Sequence, residues 1–207
     1  MYWLNNLLND IANGKVQTRY SHDNRICTHN NVSELDVDCS GLVELWLKNS
    51  HNSALAEVYH YINKVRDTTK YQINRLYSFD FYDFFNSAEI TDSPNWCLVD
   101  VMQKLQCGDV LAMINPQKSG RWGHVAIVAK EISRTADKIC LDIIDSSNIL
   151  HYNDKRNPIR KGIGRGNVDL LLQNENIVTI CYNQQCQKVR AIKIARLRDI
   201  NIKSAKK

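Results

Sequence analysis

The hexapeptide Asp38-Cys39-Ser40-Gly41-Leu42-Val43 places one thiol at the start of an amphipathic helix. Leu42, Val43, Trp46 and Leu47 recur at helical spacing, and the pattern ends near Lys48-Asn49-Ser50. Asp38 is suited to be the N-cap, so Cys39 falls where unpaired backbone N–H groups and the positive end of the helix dipole converge. That setting favours the nucleophilic thiolate and predicts that Cys39 is the most reactive thiol of the chain. Cys39 also shares a face with Leu42, Val43 and Trp46, where cysteine is commonly plain packing. On this stretch alone the two readings stand level.

A later pair of segments separates them. Gly108-Asp109-Val110-Leu111-Ala112-Met113-Ile114 is a turn feeding a buried strand, and Gly123-His124-Val125-Ala126-Ile127-Val128 is a second strand with a histidine at its start. A strand-end histidine facing a helix-start cysteine is the geometry that a nucleophile and its base require. An isolated strand histidine is more often structural. Here the helix-start cysteine, the Gly-Asp turn and the Gly-His strand occur in order, which favours the catalytic reading.

These residues resemble the signature of the NlpC/P60 cysteine peptidases over roughly residues 20 to 150, carried by motif order and spacing rather than by overall identity. The resemblance implies an α+β, papain-like fold with a nucleophile helix packed on an antiparallel sheet. It implies Cys39 as nucleophile and His124 as base. It also implies hydrolysis of peptide amide bonds, with the stem peptides of bacterial peptidoglycan as substrate. Relatives on the same scaffold act as amidases, deamidases or acyltransferases, so a protein deamidase or acyltransferase, or an inactive binding member, is the alternative.

The third member of such a triad is a polar residue on the strand after the histidine strand. In Ile139-Cys140-Leu141-Asp142-Ile143-Ile144-Asp145-Ser146 the matching position is Asp145, where the family more often has histidine, asparagine or glutamine. Aspartate is competent there because it accepts the imidazole N–H and orients the ring. Asp142, an odd number of residues away, points to the opposite strand face. His151, in the loop that follows, is the rival third member. The lead-in to Cys39 departs from the family, which has a tyrosine and a Gly-Gly pair there. Tyr20, Asp38, Ser40 and, as a loop residue lining the cleft, His151 are candidate oxyanion or substrate-binding residues, and a packing role suits Tyr20 equally well.

The elements that must position these residues follow from pattern. Residues 2 to 12 form a short helix, followed by an irregular polar segment to Val37 and the helix from about Cys39 to Asn49. A second helix follows Asn52-Ser53, and Tyr71 to Asn86 continues helically with Phe81, Phe84 and Phe85 as an aromatic core cluster. About six strands then follow: Trp96–Val99, Asp109–Ile114, His124–Ile132, Ile139–Asp145, Ile177–Tyr182 and about Val189–Leu197. Helices first and antiparallel strands second is the α+β arrangement. The expectation is one catalytic domain over 1–207, helical to about residue 90 and sheet from about 96 to 200. The glycine-bearing run from Lys161 to Gly166 lacks the Gly-Lys-Ser/Thr ending of a phosphate loop and reads as a mobile loop.

The chain has 207 residues, 43% hydrophobic and 24% charged, the balance of an ordinary globular sequence. No apolar run reaches the roughly 18 residues of a membrane span. The start lacks a basic region before an apolar core, which points to a cytoplasmic protein or one exported without a signal peptide, and to a periplasmic one if a leader was removed. Seven cysteines form no tight framework. Cys181 and Cys186 can face each other across a hairpin as a disulfide, with two free thiols as the default. Cys27 and His29 with that pair make a poor zinc set without a Cys-x-x-Cys spacing, so neither metal nor organic cofactor is expected. The net charge of +5 is concentrated in Lys155-Arg156, Arg160-Lys161, Arg165 and the tail from Lys188. Few aromatics are interleaved there, which argues against nucleic acid and for a solvated face or an acidic substrate. The expected form is a monomer acting on a peptide or peptidoglycan.

Overall fold

The computed structural model describes residues 1–29, 32–66, 74–115, 123–156, 161–183 and 185–198. The chain opens with α1 (Tyr2–Ala12), then β1 (Val16–Arg19), β2 (Arg25–His29) and β3 (Val32–Asp36). Four helices follow: α2 (Cys39–Ser50), α3 (Asn52–Val65), α4 (Ser78–Phe85) and α5 (Glu89–Asp92). The rest is strand: β4 (Trp96–Leu98), β5 (Val110–Ile114), β6 (Gly123–Arg134), β7 (Lys138–Ser147), β8 (Gly162–Gln173), β9 (Asn176–Tyr182), β10 (Gln185–Lys188) and β11 (Ala191–Leu197).

Eight strands form one antiparallel sheet in the order β10-β9-β8-β7-β6-β5-β11-β4, and the first three form a separate sheet ordered β1-β3-β2. The hairpins are set by local chemistry. Asn174 and Glu175, both at positive φ, make the tight β8–β9 turn, the twist-matched conformation of a two-residue loop. Thr135 closes β6 onto β7 by donating its hydroxyl to Asp137 at 2.7 Å, while its N–H meets the Lys138 carbonyl at 2.8 Å.

The large sheet is buried on both faces. Along β6, Val125 and Ile127 join the core under the helices, whereas Ala126 and Val128 join a second core with Leu111, Ile143 and Ile180. The second core draws its buried members from strands and the Val99–Leu105 connection, so the sheet covers that face with its own strands. Burial on both faces is why β5 and β6 read as unbroken apolar runs. Phe81, Phe84, Phe85 and Trp96 fill the helix-side core.

This corrects the expected fold class. A papain-like layer of helices on about six strands is replaced by a mostly β architecture, an eight-stranded sheet plus a three-stranded one, with five short helices among the described residues. The N-terminal part, expected to be helical, contains β1, β2 and β3. These strands are short and largely polar, so the spacing of apolar residues gave no sign of them. The expected mobile loop at Lys161 to Gly166 is the start of β8, held in register by β7 from Ser147–Gly162 to Lys138–Leu171. Residues 71–73 of the expected helix, Arg160, and the tail beyond 198 lie outside the described residues.

Candidate active site

Cys39 is the first residue of α2 and is buried, with 5% of its surface exposed. Asp38 caps the helix in extended conformation, its Oδ1 accepting the Gly41 N–H at 2.9 Å and the Ser40 hydroxyl at 2.9 Å. Its Oδ2 meets His22 Nδ1 at 2.9 Å and accepts from the Arg75 guanidinium, which also donates to the His22 carbonyl. Burial pushes this carboxyl up, but His22, the Gly41 N–H and Arg75 together hold it below the usual carboxylate range. Asn24 Oδ1 accepts the Asp38 N–H at 3.1 Å. A Cβ on residue 41 would lie 2.4 Å from that same oxygen, so glycine there is what admits Asn24 to the cap. The side chains of Asp38 and Ser40 are thus occupied in building the helix start.

His124 is the second residue of β6, paired with Met113 of β5. Its Nε2 donates to Asp145 Oδ2 at 2.7 Å, and the Cys39 sulfur lies close enough to the ring to act on its charge. Burial pushes the imidazole down, but Cys39 and Asp145 outweigh it and raise the ring to about 10. His124 therefore keeps its proton at neutral pH.

Asp145 lies on β7 opposite Gly164, with 1% exposure. Besides His124 it accepts from His151 Nε2 at 2.9 Å and from Arg156 Nη2 at 2.7 Å. Burial alone would push its carboxyl up; the charges of His151 and Arg156 and the two imidazole hydrogen bonds hold it well below the usual range. The neighbouring Ser146 donates its hydroxyl to the Val37 carbonyl at 2.6 Å, fastening the β7 end to the chain just before Cys39. Asp142 is ion-paired with Arg165 and takes no part in this cluster, as strand alternation requires.

Both candidates for third member thus sit on one axis. His151 does not line the cleft: its side chain is fully buried behind Asp145. Arg156 is the residue that sequence reasoning missed, having been counted with the solvated basic excess. It is buried and also donates to Asp154, Ser147 and Gly162. Glycine makes room for both. A Cβ at Gly164 would lie 2.6 Å from Arg156 Nε, and one at Gly166 would lie 2.8 Å from His151 Cβ. The period of two in Gly162-x-Gly164-x-Gly166 was the available signal, marking a strand with a flat face against which another segment packs.

Tyr20 stands half-buried near Cys39, its phenol pushed up by burial and by Cys39 and Asp38. With His22, Tyr77, Phe79 and Gly123 it bounds a cavity of about 280 Å³ that opens onto Cys39. Tyr182, unremarked in the sequence, is buried with its ring 6.3 Å from His124 and 5.0 Å from His151. The Gly108-Asp109 motif lies apart from this cleft: buried Asp109 accepts from Arg196 at 2.7 Å and 2.9 Å, closing a structural turn. Cys181 and Cys186 form a disulfide, against the default of free thiols, and Cys27 donates to Glu34. Among the described residues no three His, Cys, Asp or Glu side chains are grouped to hold a metal ion. Nor is any helix among them long and apolar enough to cross a membrane. No protein-family model, curated protein or solved structure matches the chain.

Proposed function

We propose that this chain is a cysteine hydrolase that cleaves an amide bond with Cys39 as nucleophile. The observation that carries the reading is a helix-start sulfur beside the His124 ring, with that ring hydrogen-bonded to a buried carboxylate held in place by two further cations or donors. The Cys39 sulfur attacks the carbonyl carbon as thiolate, and the carbonyl π electrons move onto oxygen. The Gly41 and Leu42 N–H groups are taken up by Asp38, so the oxyanion donors left to the helix start are the N–H groups of Cys39 and Ser40. As the tetrahedral intermediate collapses, the imidazolium of His124 protonates the departing amine. His124, now neutral, takes a proton from water, which attacks the thioester and releases the acid.

The motif order shared with NlpC/P60 peptidases supports cell-wall stem peptides as the first substrates to test. The aromatic walls of the cavity favour a second class, amide or ester acyl donors with apolar acyl groups, as in a deamidase or acyltransferase. Incubation with purified muropeptides and with acyl-glutamine and aryl-ester donors, products followed by chromatography, separates the two. Turnover that disappears in Cys39→Ala supports the hydrolase, whereas turnover that persists in Cys39→Ala sinks it.

A further inference from the structure

We propose that the cavity beside Cys39 is the acyl-side subsite and that it takes one uncharged aromatic ring, so that the scissile carbonyl belongs to an acyl group or residue bearing such a ring. This rests on the hydrolase reading of Cys39. His124 has to deliver a proton to the departing amine, so the leaving group lies on its side of the sulfur. His124 lines a separate cavity of about 100 Å³ with Met113, Asn115 and Tyr182. Cys39 lines the larger cavity of about 280 Å³ and His124 does not, which puts that cavity on the acyl side.

Its walls are rings drawn from two stretches of chain far apart in sequence. Tyr77 and Phe79 stack at 5.2 Å with an interplanar angle of 7°, and Arg75 covers Tyr77 with its guanidinium carbon 4.5 Å from the ring centre. Across from them Tyr20 and His22 meet edge to face at 5.3 Å. Gly123 contributes no side chain, and a Cβ there would lie 2.2 Å from the Met113 carbonyl oxygen. The charges beside the cavity are already spent on each other: Arg75 is paired with Asp38, and His22 is hydrogen-bonded to the same carboxylate. An acidic acyl group would leave water to meet a neutralised pair, which is unfavourable for a buried charge. An aromatic ring would meet ring faces and edges, the arrangement such rings prefer.

The test treats the full chain separately with N-acetyl-phenylalanyl, N-acetyl-alanyl and N-acetyl-glutamyl chloromethyl ketones and times alkylation of Cys39 by peptide mass spectrometry. The sulfur displaces chloride from the methylene carbon, so one S–C bond forms as the C–Cl bond breaks. The phenylalanyl reagent is expected to label Cys39 at least about tenfold faster than the other two, the scale of discrimination an apolar pocket achieves. Phe79→Ala and Tyr77→Ala should each narrow that ratio several-fold. Tyr77 is 41% exposed, so its variant reports even where Phe79→Ala fails to fold. Equal rates on Cys39, or a preference for the alanyl or glutamyl reagent, overturn the aromatic subsite and leave the nucleophile standing. No labelling of Cys39 by any reagent overturns the hydrolase reading and this proposal with it.

Discussion

The Asp145 carboxylate accepts from His124, His151 and Arg156 at once, so replacing it disturbs three buried donors. His124→Ala removes the positioned acid and should lower turnover by about 10²–10⁴-fold. Asp145→Asn keeps an oxygen for His124 and should lower turnover less, yet it removes one of the two carboxylates that hold buried Arg156, leaving Asp154, and should cost about 1–3 kcal/mol in urea unfolding. Asp145→Ala should lose more on both measures, and a stable, active Asp145→Ala would show that the carboxylate orients nothing. The pH dependence has a definite sign. His124 is raised in the folded state, so its contribution to stability is complete below its ordinary value of about 6.5 and fades as pH rises through about 10. Asp145 is lowered, so its contribution is present above about 3.9 and is lost on acidification. Turnover should carry an alkaline limb near pH 10 that Asp145→Asn moves downward; an unmoved limb would assign it to another group. Cys39, His124 and Asp145 were legible because each stands at the end of an element whose period shows in the sequence. His151 was legible only as a rival to Asp145, and Arg156 was not legible at all, because the burial of both behind Asp145 rests on the pairing of β7 with β8, which no local pattern shows.

At the scale of elements, β8 does the work that no motif announced. Its glycines let the segment carrying His151 and Arg156 lie flat against the strand, and that segment holds Asp145 from behind. Gly166→Ala would press a Cβ to 2.8 Å from His151 Cβ and 3.1 Å from the Tyr152 carbonyl oxygen. Neither neighbour can swing aside as a flexible side chain does, so overpacking of about 1–3 kcal/mol is expected, together with a fall in turnover. Gly164→Ala meets the Arg156 side chain instead, and its activity should fall through a displaced guanidinium. Paired thermal melts and rate measurements check both; a Gly166→Ala protein as stable and active as the parent would remove β8 from the site's support. The strands with two buried faces were found by their apolar runs, within a few residues at each end. β1, β2 and β3 escaped because Gln17, Arg19, Arg25, Thr28 and Glu34 interrupt any apolar period. β8 escaped because glycine is read first as a loop former. What misled the fold class was counting only strands that are hydrophobic in sequence, when β8 and β10 take their place through the register of their neighbours.

For the molecule as a whole, the second core and the cleft meet at the β9–β10 hairpin. Cys181 and Cys186 are register partners across it and are joined as a disulfide, and the next residue, Tyr182, reaches through to His124 and His151 while its hydroxyl donates to the Met113 sulfur. The bond spans a sequence separation of five, so the chain-entropy model gives it only about 2 kcal/mol. In a chain of 207 residues that corresponds to a melting temperature lower by about 4–8 °C in Cys186→Ser, and in the parent protein under a dithiol reductant. The loss is confined to the unfolded-state term if the hairpin register alone keeps Tyr182 in place, since β9 is also held along its length by β8. Turnover of Cys186→Ser at a temperature well below the transition should therefore stay close to that of the parent. A large drop in turnover with an unchanged melt would mean that the disulfide holds Tyr182 against the two histidines directly. The measurement is a thermal melt with and without reductant beside a rate assay on the same samples, with Cys39 labelling used to confirm that the reductant has left the site thiol free.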